Sequence, residues 1–368
     1  MRIEVTKKEF VKALQIGGAL AGTSRIMSIL DCVKMKVTQD RITFVSTDSG
    51  NAISKKLDEN VTSDGEYTIC VNMKDLASYV KIIPDEAFEI CSEDGETLQI
   101  KHKKGSFELP IHDASSFPTI AGDKGFTEFF CQGNVLLEWV SNAMVLASTD
   151  ELRPQMAGLY IYTSGNEIGC CATNGGLLFA DKVVGDTELQ ESAFVVNRAA
   201  LKVISMGVAN SETVKVKAGA TNVVFSADGC SVIARVIEGR FPNFRSVIPK
   251  DNNIEVRTDK KELIDAIPRI SIGANSNSML AKLQVDNLLM SLSCEDIDLN
   301  KKSTECVSVQ SNGEITIGFK CTWLMNVLNA VHTDGVVLSM KDSAHAALIK
   351  EDDESSNCIF VIMPMLLS

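Results

Sequence analysis

The chain has 368 residues, 45% of them hydrophobic and 23% charged, with a formal net charge of −12. That length exceeds what one hydrophobic core fills, so two or three domains are expected, and the composition excludes a largely disordered chain. The acidic balance excludes nucleic-acid binding by bulk charge, since such affinity comes mainly from Lys and Arg against phosphates, and leaves room only for a locally basic surface.

The opening Met-Arg-Ile-Glu-Val-Thr-Lys-Lys-Glu-Phe has no apolar leader core, and no run of about eighteen apolar residues follows it. Neither export nor membrane spanning is expected. Eleven cysteines are scattered, Cys170 and Cys171 side by side, without zinc-ligand spacing. They read as buried free thiols in a reducing cytoplasm, with no metal and no cofactor implied.

Taken along the chain, one pattern recurs three times. An amphipathic helix with core positions Phe10 and Leu14 returns as Val135 and Trp139, then as Leu263 and Ile267. A second helix opens at Val71-Asn-Met-Lys-Asp-Leu76, returns as Val196-Asn-Arg-Ala-Ala-Leu201 and again as Phe319-Lys-Cys-Thr-Trp-Leu324, so that the copies stand 125 and 123 positions apart. Each repeat closes on an apolar, proline-bearing segment: Ser116 to Ile120, Arg240 to Phe244, and Val361 to Met365. Between the helices the apolar period falls to two, as in Arg41 to Ser46, Leu98 to His102, Val214 to Ala218 and Leu289 to Ser293, which predicts half-buried strands. Turn signals such as Asp94-Gly95, Asp228-Gly229 and Asn312-Gly313 separate them. The expected fold is α+β, three repeated domains, each with two helices on antiparallel sheet, with limits 1–124, 125–250 and 251–368.

The second helices have unlike faces. Met73, Leu76 and Val80 oppose Lys74, Ser78 and Lys81; Leu201, Ile204 and Val208 oppose Arg198, Lys202 and Ser205; Leu324, Leu328 and Val331 oppose Lys320, Asn326 and Asn329. The first helices add Lys8 and Lys12, then Lys261 and Arg269, with Asp75, Glu262 and Asp265 among them. These faces are either solvated surface or parts of one weakly basic surface, and periodicity does not choose between them. A hydrolase on a repeated scaffold is a rival, but His102, His112, His332 and His345 stand in no G-x-S-x-G, H-E-x-x-H or phosphate-loop context. A protein-interaction scaffold without DNA is a second rival.

The segment Glu238-Gly-Arg-Phe-Pro-Asn-Phe-Arg-Ser-Val-Ile-Pro-Lys250 resembles the junction between the second and third domains of bacterial DNA polymerase III beta subunits, the beta sliding clamps. Val361-Ile-Met-Pro-Met-Leu-Leu367 is similar to that family's terminal motif; Thr23-Ser-Arg25 with Ile29-Leu30, Asp113 to Pro118 and Ser148 to Pro154 with Gly158 are further matches in order. The resemblance implies a non-catalytic, head-to-tail homodimer whose three repeated clamp domains per chain form a ring around duplex DNA. Such a ring tethers the replicative polymerase for processive synthesis and docks clamp loader and repair proteins through short linear peptides.

By residue, the resemblance assigns DNA phosphate contacts to Arg25, Arg198, Lys202 and Lys282, joined by Lys8, Lys12, Lys74, Lys81 and Lys320 from the helix faces and their ends. A ring that slides needs such contacts to position it without reading sequence. It places Phe107 and Leu109 of one chain against Ile270 and Ile272 of the other. It assigns the peptide pocket to Met156, Thr173, Gly175, Gly176, Leu177, Leu178, Pro242, Ser246, Val247, Ile362, Met363, Pro364 and Met365, an apolar, methionine-bearing groove able to repack around several ligands. The family commonly carries Thr-Asp-Gly-His-Arg-Leu where this chain has Thr173-Asn-Gly-Gly-Leu-Leu178, and an Arg is common in the terminal motif where this chain ends in leucines with an added Ser368; Ser28 replaces a usual proline. A more apolar pocket is therefore expected.

Overall fold

The computed structural model describes residues 1–23, 27–58, 60–120, 126–150 and 152–367. Among these are six α-helices: α1 (Lys7–Gly17), α2 (Met73–Ile82), α3 (Gly133–Leu146), α4 (Arg198–Gly207), α5 (Lys260–Ser271) and α6 (Cys321–Ala330). The chain divides into two compact units, one of Met1–Val140 with Gln190–Ile237, the other of Ser141–Leu189 with Glu238–Ser368.

Local chemistry starts the helices where the repeat predicts. Asn72 accepts the Asp75 N–H at 3.1 Å to open α2, and Asn197 accepts the Ala200 N–H at 3.0 Å to open α4. Asp259 does the same for α5 through the Glu262 N–H at 3.1 Å. Each side chain satisfies a donor that a helix start otherwise leaves unpaired. Helices α2, α4 and α6 all run ten residues, and the stripes Leu76/Val80, Leu201/Ile204 and Leu324/Leu328 are buried as expected.

One register needs correction. In α1 the buried positions are Phe10, Ala13, Leu14 and Gly17, and in α5 they are Leu263, Ala266, Ile267 and Ile270. The matching set in α3 is Leu136, Trp139, Val140 and Ala143, all buried, whereas Val135 is only half-buried. Leu136 and Val140 therefore take the places expected for Val135 and Trp139, and Trp139 falls at the position of Ala13 and Ala266. Adjacent apolar residues both fit a stripe of period 3.6, and only packing separates them.

In the first unit a five-stranded sheet runs in the order Thr62–Ser63, Arg2–Thr6, Ala87–Cys91, Thr97–His102, Gly105–Pro110. An eight-stranded sheet runs Thr127–Gln132, Thr213–Ala218, Asn222–Ala227, Cys230–Arg235, Asn51–Leu57, Arg41–Thr47, Cys32–Thr38, Tyr67–Asn72. Strands of the first and second repeats thus share one sheet, joined where Val232 faces Ile53 in antiparallel register. Beside this seam the buried Asn51 and the capping Asn197 exchange side-chain hydrogen bonds of 2.7 and 3.2 Å. Under the sheets Phe10 meets Phe44 and Phe88 edge-on, with centroids 5.1 and 5.2 Å apart.

In the second unit a continuous sheet follows the order Gly158–Ser164, Glu167–Thr173, Leu177–Val184, Ile359–Ile362, Ala347–Glu351, Gly335–Met340, Ile254–Asp259, Lys301–Ser311, Leu289–Asp296, Leu280–Asp286, Ile315–Lys320. Its seam is the antiparallel pair Leu177–Val184 and Ile359–Ile362, so the chain's last strand closes onto the second repeat. Ten of the eleven cysteines are buried thiols outside any disulfide; Cys306 is exposed. No helix among the described residues is long and apolar enough to cross a membrane.

Candidate docking site and basic surface

The proline-bearing C-terminal segment meets a tight turn within the second unit. Thr173 ends its strand and donates its hydroxyl to the Leu177 carbonyl at 2.6 Å, while Asn174 Oδ1 accepts from the N–H groups of Gly176 (2.9 Å) and Leu177 (2.8 Å). Gly175 has φ of +92°, where a side chain is strained, so the turn needs glycine there. The returning strand pairs Leu177 with Ile362 and Leu178 with Val361, after which the Met363 N–H donates to the Gly176 carbonyl at 2.9 Å. The Met365 N–H then donates to the Gly318 carbonyl at 2.8 Å. Ser148 ties Met156 to the same turn, its N–H lying 3.1 Å from both the Met156 and the Thr173 carbonyls.

The segment carrying Pro242, Ser246 and Val247 lies against this sheet. Phe241 stacks on Tyr160, centroids 4.5 Å apart and 6° from parallel, and the Arg245 guanidinium stands 4.7 Å over the Tyr162 ring. Burial raises the Tyr160 hydroxyl pKa, so that ring stays neutral in its packing.

Exposure sorts the thirteen expected pocket residues. Met156, Thr173, Leu177, Leu178 and Ile362 are buried; Gly176, Pro364 and Met365 are half-buried; Gly175, Pro242, Ser246, Val247 and Met363 are exposed. The buried five are framework for the site, and Leu177 in particular, 1% exposed, has little surface to offer a ligand. Apolar area comes from Val247 and Met363, and from Leu366 at 87% exposure.

Two neighbours went unrecognised in the sequence. Arg153 reaches Gly175, its Nη1 lying 3.7 Å from where a Cβ would stand, and pairs with Asp150 at 2.9 Å. That pairing, after the Leu152 N–H, holds the Asp150 carboxyl below its ordinary pKa. The other is Trp323, whose ring covers Gly176: a Cβ there would stand 2.1 Å from Cη2. Its signal was present, because position 323 in α6 matches Asp75 in α2 and Ala200 in α4, and a tryptophan is out of keeping with both.

The basic residues divide between the units. In the first, exposed Lys8 and Lys12 share with Lys55 and Lys56 a cleft of about 450 Å³ floored by Ala13 and Leu57. Lys74, Lys81 and Lys202 are exposed and Arg198 is half-buried. No salt bridge joins Lys8, Lys12, Lys74, Lys81 or Lys202 to a carboxylate among the described residues. In the second unit Lys282 projects exposed from the strand Leu280–Asp286, paired with Gly318, and the Lys320 ammonium lies 5.8 Å from the Trp323 ring. Arg25 lies outside the described residues.

Of the four expected interface residues, Leu109 (3% exposed) and Ile270 (0%) belong to the cores of their own units. Phe107 is half-buried, stacked on Tyr79 with centroids 4.6 Å apart. Ile272 is 76% exposed, so it and Phe107 are the two with area left to bury. The histidines stand apart along the chain: His102 ends a strand, the His112 N–H bonds to the Cys70 carbonyl, the His332 N–H to Glu351, and His345 to Asp342. No group of three or more metal-ligating side chains occurs among the described residues.

Three family models match in order: the DNA polymerase III beta subunit N-terminal domain over residues 1–121, its central domain over 131–243 and its C-terminal domain over 245–366. The beta sliding clamps of Haemophilus influenzae and Escherichia coli are 24% and 22% identical, each aligned over 100% of both chains. Solved structures of the Pseudomonas aeruginosa sliding clamp bound to griselimycin and of the Streptococcus pyogenes polymerase beta subunit superpose with TM-scores of 0.93 and 0.94, at 21% and 18% identity, over 100% of each chain. The fold is the three-domain clamp fold, and the chain belongs to the DNA polymerase III beta subunit family.

Proposed function

We propose that this protein is a DNA sliding clamp: a non-catalytic homodimeric ring that encircles duplex DNA without sequence preference and tethers the replicative polymerase in the cytoplasm. Its three domains, taken as 1–124, 125–250 and 251–368, supply helices for the inner wall. The turn 173–178, the segment 242–247 and the terminal motif 362–365 form the dock for polymerase, clamp-loader and repair-protein peptides. The observation that carries this reading is the ordered match of all three family domains along a chain whose helices repeat at the same spacing. A net charge of −12 agrees with it, because a closed ring holds DNA by topology and needs only weak phosphate contacts.

Sedimentation tests the assembly. A species of twice the 39.9 kDa of one chain is expected, and a monomer at micromolar concentration counts against the ring. A protein-interaction scaffold or a hydrolase has no observation in its favour.

A further inference from the structure

We propose that Cys294 and Cys321 are a reversible thiol–disulfide pair, which hydrogen peroxide closes so that the start of α6 becomes stapled to the strand Leu289–Asp296.

The two sulfurs are already in contact at 3.7 Å, although the residues stand 27 positions apart. Cys294 lies near the end of its strand, Cys321 is the first residue of α6, and each is 2% exposed. The strand Leu280–Asp286 runs between their elements, pairing Lys282 with Ser293 on one side and Leu280 with Lys320 on the other. A bond between the sulfurs is about 2.0 Å long, so each has to advance by less than about 1 Å. Cys170 and Cys171 have no such freedom, because neighbours on one strand point to opposite faces.

The two thiols are unequal. Cys321 sits in the first turn of a helix, where free N–H groups favour an anion, and no side chain caps that start. Contact with Cys294 lowers the Cys321 thiol below its ordinary pKa; the same contact, and then burial, raise Cys294. Cys321 is therefore the nucleophile and Cys294 the thiol that resolves it. Thr322 beside it is exposed, and Met279, whose carbonyl accepts the Cys321 N–H at 2.8 Å, is half-buried. The nucleophile thus lies just beneath the surface, within reach of a small neutral oxidant.

The chemistry balances with peroxide alone. The Cys321 thiolate attacks one peroxide oxygen, an S–O bond forms as the O–O bond breaks, and the departing hydroxide takes up the proton that Cys321 released. The Cys294 sulfur then attacks the sulfenic sulfur; the S–S bond forms, the S–O bond breaks, and the hydroxyl leaves as water with the Cys294 proton. Two thiols lose two electrons, and one peroxide becomes two waters.

The test treats the reduced full-length protein with hydrogen peroxide, alkylates the remaining thiols after denaturation, and maps the digest by mass spectrometry without reductant. A linked peptide pair carrying Cys294 and Cys321, two hydrogens lighter than the separate peptides, is expected, and dithiothreitol should undo it. C306S should keep the link. In C294A dimedone should trap Cys321 as its sulfenic acid, while in C321A it should leave Cys294 unlabelled; circular dichroism checks that both variants are folded. In the oxidised parent the amides of the first turn of α6 should exchange hydrogen about tenfold more slowly than in the reduced parent. The parent alone decides the pairing: alkylation of both thiols after peroxide, or links from either to another cysteine, overturns it. A link without slower exchange overturns the staple, and dimedone on Cys294 in folded C321A overturns the assigned roles.

Discussion

Replacing Ile272 by Ala should weaken ring closure without weakening the fold. The side chain is 76% exposed within one chain, so an interface that covers it buries most of three carbons that Ala lacks. At about 0.8 kcal/mol per buried carbon, scaled by that exposure, the loss is about 1.8 kcal/mol per interface. A head-to-tail dimer closes through two equal interfaces, so the dimer loses about 3.6 kcal/mol, roughly a 400-fold rise in its dissociation constant. Leu109→Ala is the contrasting variant. Leu109 is 3% exposed in its own core, so its truncation should cost about 2–5 kcal/mol of fold stability instead. Sedimentation velocity over a dilution series, beside thermal unfolding of the same samples, separates the effects. A variant I272A that dissociates at the parent's concentration would refute the placement of that residue between chains.

Charge reversal at Arg198 and Lys202 should lower the salt slope of duplex binding by about 0.9 for each phosphate no longer neutralised, measured by anisotropy across a salt series; an unmoved slope removes α4 from the DNA surface. Phe10→Ala, which deletes a fully buried ring packed edge-on against Phe44 and Phe88, should cost about 3–5 kcal/mol in urea unfolding, and a loss under about 1 kcal/mol would contradict the packing described. Asp342 is held down to about 2, first by its hydrogen bond with His345 and then by the Ala344 N–H. A depressed carboxylate contributes stability that is complete above its unfolded pKa near 4 and is lost as pH falls through about 2, so His345→Gln should move the Asp342 titration up toward the ordinary value by carboxyl NMR. An unmoved titration would leave that hydrogen bond without effect.

Much of the fold was legible because the repeat constrains it three times over. The starts of α2, α4 and α6 at Met73, Arg198 and Cys321 reproduce the sequence spacing, since Asn72 and Asn197 mark helix starts by their capping chemistry. Val135 against Leu136 was not decidable, because both are apolar and only packing distinguishes them. Nor did the sequence show the seams, Asn51–Leu57 with Cys230–Arg235 and Leu177–Val184 with Ile359–Ile362, since antiparallel pairing across some 180 residues leaves no local mark.

The site was legible in outline and not in exposure. Strand alternation usually leaves one face open, but Leu177 and Leu178 are both buried, because this stretch of sheet is covered on both faces. Trp323 was missed because its helix was read for its repeat stripe and not for the residue that departs from it. The absent side chain at Gly176, which seemed to weaken the site, is what lets that ring in.

The central claim is topological, and retention on DNA tests it most directly. The protein, loaded onto nicked circular duplex by its cognate clamp loader and ATP, should remain with the circle through gel filtration in high salt. Cutting that circle once should release it. Loss at the same rate from circular and linear DNA would contradict an encircling ring.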